Sequence, residues 1–416
     1  MKYFILLLIP HFIIAQITPP AITHESGFYS EEFSVEITHL DSELLILYTL
    51  DGSEPKIENL AGKSWNYKKD YPYSPGVPHG DLLSDEIWTF EYQNPISIYN
   101  RTQEETVLAD VNTSIIHNNP YVEGELFKAF TLRVCAYDED TGDYRNISIR
   151  NYFISEEGIN RYTLPVVALS MDNDKMYSYE TGINVPGILF DEWRDENPDV
   201  EEDMWADANY QLRGGETEIE INFNFFENGE EILNHNAGTR INGNYSRFHP
   251  SKSFRLYAKD GYGEKNFKHT FFENYPVNKF KRLILRNSGN DNKFSFFRDA
   301  FIHNLTRNLN FDIQESRAIV LFINGEYNGI RNLRERYDKK YFESIHGVDE
   351  DELDFLENFY VEVKEGDSDF FFTMLDFLKY NSLETQINYN QAITYFDPIN
   401  FTDYYISNIC VANDDW

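Results

Sequence analysis

Short alternations of apolar and polar positions dominate the first part of the chain. Ser34-Val35-Glu36-Ile37 alternates, Leu44 to Leu50 is a buried-strand run closed by Asp51-Gly52, and Phe130 to Tyr137 alternates again. A period of two marks strands with one buried face, and turn clusters between them without helical periodicity predict a β-sandwich over 16–155. Within it, the stretch 59–80 is rich in Tyr, Pro, Gly and Lys and reads as a long surface loop. From Leu164 (LPVVALSMD) onward the pattern changes. Strands persist, but amphipathic helices join them. The clearest is predicted over Phe296–Asn308, where Phe297, Ala300, Phe301 and Leu305 recur at helical spacing behind Ser295 as N-cap. Asn324-Gly325 between Ala318–Ile323 and Glu326–Leu333 predicts a two-residue hairpin. The mixed order indicates an α+β domain, expected over 160–416, behind the all-β module.

The ends add two expectations. Lys2 followed by the apolar run Tyr3 to Ala15 has the form of a cleaved secretory signal (1–15). Its roughly 13 residues fall short of the ~20 that a ~30 Å hydrocarbon core needs, and no later segment is long and apolar enough to span one. At the other end an apolar element runs straight into Asn413-Asp414-Asp415-Trp416, and a natural domain is expected to continue past such a point.

Charge narrows the function. Lys and Arg number 36 against 70 Asp and Glu, a net charge of −34 over 416 residues. So acidic a chain repels polyanions, which argues against nucleic acid as partner. Hydrophobic content of 41% and aromatic content of 16% exclude a disordered acidic tail, and the length suggests about two or three domains. The two cysteines, Cys135 and Cys410, are expected to be buried structural thiols in different domains rather than a bridge.

Glu25-Ser26-Gly27-Phe28-Tyr29, Phe33-Ser34-Val35 and Tyr48-Thr49-Leu50-Asp51-Gly52-Ser53-Glu54-Pro55 together resemble the small β-sandwich at the C-terminus of chitobiases. The resemblance implies an accessory module. Trp65, Tyr67, Tyr71 and Tyr73 could then stack on a cell-surface glycan, since flat rings suit the apolar face of a pyranose, or simply pack on their own sandwich.

Three constellations could carry chemistry. In Lys252–Tyr257, alternation places Lys252, Phe254 and Leu256 on one face, so the lysine is partly desolvated and wants a protein carboxylate or a ligand phosphate. The preceding Asn242-Gly243-Asn244-Tyr245-Ser246-Arg247 supplies the amides, hydroxyl and cation that cradle phosphates; the plain alternative is an edge-strand lysine beside an ordinary loop. In Ile330–Glu335, Glu335 shares a face with Leu333 and Arg331. Arg331 could neutralise it, or Glu335 could pair with Lys252 and position it on a nucleotide. Third, Asp414 and Asp415 follow an apolar element and suit a base or a metal site, or merely a surface cap.

In this order, with Leu285–Asp291, Phe297-Arg298-Asp299, Phe322–Gly329, Arg334–Asp338 and Asn413-x-Asp415-Trp416, these pieces resemble the spore-coat-protein-H (CotH) family of secreted atypical kinases. The resemblance runs from about Leu164 to Trp416. It implies a divergent protein-kinase-like fold that uses ATP with Mg²⁺ or Mn²⁺ to phosphorylate protein Ser/Thr. It also implies Lys252 as the nucleotide-phosphate lysine, Glu335 as its partner, Asp415 as catalytic aspartate and, with Asp414, metal ligand. Arg240, Arg247 and Asn244 would assist at the phosphates, while Asp291, Arg298 and Asp299 are expected to brace the fold. The Pro, the Asn pair and the later acidic residues that usually follow the family's Asp-Trp do not appear after Trp416. A non-catalytic cell-surface or carbohydrate-binding protein on a degenerate kinase-like scaffold is the alternative. A carbohydrate hydrolase finds no carboxylate pair with supporting context.

Overall fold

The structure, a computed structural model, describes residues 19–116, 125–201, 203–358 and 360–414. The apolar run Tyr3–Ala15 and the residues Asp415 and Trp416 lie outside the described residues. The chain is strand-rich and mixed, as its pattern predicts. The first sheet has five strands in the order Gly27–Tyr29, Asp143–Ile154, Phe130–Asp138, Leu45–Thr49 and Phe90–Glu91. A two-stranded sheet of Phe33–Val35 and Ile96–Ile98 completes a core of Val35, Ile96, Ile98, Leu132, Val134, Tyr152 and Ile154.

The second body is a closed barrel of seven strands: β1 (Val166–Ser170), β2 (Ile219–Glu227), β3 (Glu230–Asn242), β4 (Ser253–Tyr257), β5 (Arg282–Arg286), β6 (Ser316–Ile323) and β7 (Glu326–Glu335). Neighbours run β1-β2-β3-β4-β5-β7-β6, and a parallel pairing of β6 with β1 closes the ring. Closure leaves no unpaired edge. Alternate residues fill the interior: Val167, Leu169, Ile221, Phe223, Phe225, Phe254, Leu256, Leu283, Leu285, Ile319, Leu321 and Leu333 form one buried cluster. Each large side chain taken from water in this way contributes roughly 1.5–3 kcal/mol.

The β6–β7 hairpin turns at Asn324 (φ 48°) and Gly325 (φ 82°), the left-handed pair that the Asn-Gly sequence predicts. Gly325 is required twice over, because a Cβ there would lie 2.4 Å from the Ala129 carbonyl oxygen. The Asn324 amide meets Met171 through both ends, accepting its N–H at 2.9 Å and donating to its carbonyl at 2.8 Å. Helices α1 (Asn173–Tyr177) and α2 (Gly187–Glu196) follow β1 in the chain, α3 (Arg298–Leu305) lies between β5 and β6, and α4 (Lys339–His346) follows β7.

The expected surface loop 59–80 is corrected. Lys63–Tyr67 pairs with Leu83–Ile87, and Trp65, Tyr67 and Ile87 join the barrel's own hydrophobic cluster. Tyr71 is buried as well, against Phe190 of α2, and only Tyr73 of the four proposed stacking aromatics is exposed. Period-two alternation of Trp65 and Tyr67 sends both inward, a signal that the Pro- and Gly-rich surroundings masked. The chain then crosses the barrel as a strap over 107–116. α3 is shorter than expected and starts at Arg298 rather than behind Ser295. Phe296 has φ 65°, which no helix accommodates, so the first turn forms only after it. The thiols differ from each other: Cys135 is buried, Cys410 exposed, and both are free.

Candidate functional site

Parity along the strands holds. Lys252 precedes β4 in phase with Phe254 and Leu256, and Arg331 and Glu335 in β7 are in phase with Leu333, so all three point into the barrel. Register then separates them. Leu285 pairs with both Phe254 and Leu333, which puts Lys252 level with Arg331 and four residues from Glu335. At ~3.3 Å per residue that is about 13 Å along the barrel. The expected Lys252–Glu335 pair is therefore not formed; the two residues occupy opposite ends.

At the first end Lys252 is buried, 1% exposed. Its ammonium donates to the Thr113 carbonyl of the strap and, at 2.9 Å, to the His249 carbonyl, and lies 4.3 Å from the centre of the Tyr210 ring. Burial, with Arg247 close by, pushes its pKa well below the usual lysine value. The strap is tied down at several points. The Glu326 carboxylate accepts the backbone N–H groups of Val107, Leu108 and Ala109 at 3.3, 3.4 and 2.9 Å. Thr113 Oγ1 donates to the Pro250 carbonyl at 2.8 Å, and Ser114 Oγ to that of Phe248 at 2.6 Å.

Arg247 is spent on the backbone: its guanidinium donates to the carbonyls of Gly243, Tyr210, Leu212 and Ile241 at 2.8, 2.8, 3.1 and 2.9 Å. Burial and the cations Arg213 and Arg255 bring its pKa down to about 10. Asn244 accepts from Arg213 at 2.7 Å, and Arg240 is held by Glu218 through Nε at 2.9 Å and Nη2 at 2.7 Å. Lys252 and Arg247 thus share Tyr210 and one loop, Asn244 stands on the same loop, and Arg240 lies on the outer wall of β3.

At the other end Glu335, 3% exposed, accepts the Tyr275 hydroxyl and the Glu315 backbone N–H at 3.0 Å. Arg331 does not neutralise it; that guanidinium serves the carbonyls of Lys252, Asn328 and Ile330 at 3.1, 2.9 and 3.0 Å. Burial pushes the Glu335 carboxyl up to about 7, against the lowering pull of those two hydrogen bonds.

The outer wall confirms bracing roles. Asp299, in the first turn of α3, takes Arg286 and Arg334 at 2.7 Å each and so ties the helix to β5 and β7. Burial alone would raise its carboxyl, but the two guanidinium groups outweigh that and hold it below its usual value. Asp291 accepts the Ser295 hydroxyl at 2.6 Å and the Arg298 N–H at 3.0 Å, which starts α3 without Ser295 as cap. Tyr275, Thr113 and Glu326 carried no chemical motif in the sequence; only three-dimensional contact singles them out.

For a divalent cation, Asp414 is exposed and Asp415 lies outside the described residues. Among the described residues no group of three His, Cys, Asp or Glu side chains converges on one point.

Residues 239–416 match the family model described as CotH kinase protein, which supports the CotH family for this part of the chain and suggests a kinase-like protein. The match spans Arg240, Asn244, Arg247, Lys252, Glu335, Asp414 and Asp415. No curated protein matches the chain.

Proposed function

We propose that this protein is a secreted kinase-like phosphotransferase that moves the ATP γ-phosphoryl group to Ser or Thr hydroxyls of a protein. The observation that carries this reading is the kinase-family match over 239–416, which contains every residue proposed to act. Secretion rests on the apolar segment Tyr3–Ala15. Asp415 would orient or deprotonate the accepting hydroxyl, and Mg²⁺ or Mn²⁺, recruited by Asp414 and Asp415, would supply charge neutralisation.

Lys252 and Arg247 fit the phosphate role in one respect. Both are desolvated cations whose pKa values lie below normal, and an anion beside them would reverse that cost. Lys252 is engaged by the Thr113 carbonyl, so a phosphate reaching it must displace the strap. Glu335 then acts apart from Lys252, as a buried carboxyl poised near neutral pH.

The test is phosphoryl transfer from γ-labelled ATP to an acidic or Ser-rich protein substrate, read by mass spectrometry. Incorporation on Ser/Thr that needs Mg²⁺ or Mn²⁺ and disappears in Asp415→Ala supports the reading. Nucleotide binding with transfer that Asp415→Ala leaves intact sinks the assigned mechanism, and neither binding nor transfer sinks the function.

A further inference from the structure

The strap that covers Lys252 also forms one wall of a second hollow. A cleft of about 780 Å³ opens between the loop 70–81 and residues 112–116, and every residue lining it lies outside the family match. The volume falls within the ~300–1,000 Å³ usual for small-molecule sites. Its loop wall is held in place by α2. Arg194 donates to the Pro72 and Tyr73 carbonyls at 2.9 and 3.1 Å, and His79 reaches Asp191 and Asp195 at 3.2 and 3.0 Å. The loop also closes on itself. A Cβ on Gly80 would lie 2.3 Å from the Asp70 carbonyl oxygen, so the chain brings Asp70 and Asp81 together at the loop's neck.

Both aspartates line the cleft and are exposed, and among the described residues neither belongs to an ion pair. No Lys or Arg lines it with them. Asn112, on the strap side, is 8% exposed. Its amide oxygen accepts the Ser114 N–H at 2.9 Å, which leaves the NH₂ group, without a partner among the described residues, to the cleft. Tyr73, with Val77 and Ile115, adds apolar surface, and its ring is half-exposed.

Acceptor-only carboxylates beside an unmatched amide donor require a ligand whose groups both donate and accept. Hydroxyls do both. An ammonium only donates, and an anion is repelled by the two aspartates. We propose that this cleft binds a short uncharged oligosaccharide, with hydroxyls of one pyranose on Asp70, Asp81 and Asn112 and its apolar face on the Tyr73 ring. The site stands on this geometry and does not depend on the kinase reading.

The experiment titrates neutral trisaccharides (cellotriose, maltotriose, mannotriose and triacetylchitotriose) into the whole chain by calorimetry, with spermine and trigalacturonate as charged comparisons. Saturable binding of at least one neutral sugar is expected. Tyr73→Ala should weaken it at least about fivefold and Asp70→Asn with Asp81→Asn about tenfold, while Tyr380→Ala, at an exposed ring outside the cleft, leaves it unchanged. The replaced side chains are exposed, so the thermal midpoints should match that of the unmutated protein, which checks folding. Absence of binding to every neutral sugar overturns the site, as does sugar binding that the folded Tyr73 and aspartate variants retain. Spermine or trigalacturonate bound more tightly than every neutral sugar also overturns it, by giving the cleft to a charged ligand. Failure of phosphoryl transfer in protein that still binds sugar would count against the kinase reading alone.

Discussion

The two ends of the barrel solve the same problem, a charged side chain turned inward, in different ways. At one end Lys252 is covered by chain from far away in sequence, and its protons go to backbone carbonyls of Thr113 and His249. At the other end Glu335 keeps its own proton near neutral pH and rests on Tyr275 and the Glu315 N–H. A buried ammonium has up to three N–H donors to satisfy, and here a strap supplies one of the acceptors; a buried acid that holds its own proton rests on two hydrogen bonds. The strapped end is therefore held by chain from outside the barrel strands, and the acid end by a carboxyl whose pKa burial raises to about 7.

Four substitutions sharpen the contrast. The largest effect is expected from Glu326→Ala, which removes the acceptor of the Val107, Leu108 and Ala109 N–H groups. It should cost about 3 kcal/mol in denaturant unfolding and raise hydrogen exchange over 107–116 while exchange near Glu335 stays unchanged.

Next is Glu335→Gln. Its folded pKa, about 7, lies above the value of 4.5 for a free glutamate. The native state therefore binds the extra proton, and stability is fully present below pH ~4.5, falls as pH rises and levels off above pH ~7, a loss of about 3 kcal/mol. Melting curves across that range should flatten in the Gln variant. A slope that survives would locate the titrating group elsewhere.

Lys252→Met should act at the opposite end with the opposite sign. The folded lysine pKa is depressed, so the unfolded chain holds more protons and stability climbs as pH rises toward ~10.4. In the Met variant this climb disappears, and at pH 7 stability is unchanged or higher by about 1 kcal/mol, because an apolar side chain of similar size avoids the desolvation of the ammonium. Removing Thr113's hydroxyl has the smallest effect: Thr113→Val loses one hydrogen bond to the Pro250 carbonyl and should cost about 1 kcal/mol, leaving the carbonyl on Lys252 in place.

Face assignments were legible in the sequence, because period-two alternation is a local property: Lys252 with Phe254 and Leu256, Glu335 with Leu333, and the turn at Asn324-Gly325. The level of each residue within the barrel was not. Lys252 and Glu335 are related only through β5, and the register of three strands joined out of sequence order depends on Leu285 meeting both Phe254 and Leu333. The strap was hidden for a similar reason. Thr113 and Glu326 are ordinary polar residues whose partners lie more than a hundred positions away. Trp65 and Tyr67 were misplaced because composition, which says loop, outweighed a short alternation that says strand. Asp299 was rightly expected to brace, and the two arginines it joins explain why a carboxylate is needed there.

The central claim is that Lys252 and Glu335 belong to separate ends and do not interact. A double-mutant cycle on unfolding free energy with Lys252→Met and Glu335→Gln tests it directly. The two effects should add to within about 0.5 kcal/mol at pH 7, as for sites without shared partners. A coupling above about 1 kcal/mol would show that the two charges meet, and would contradict the account.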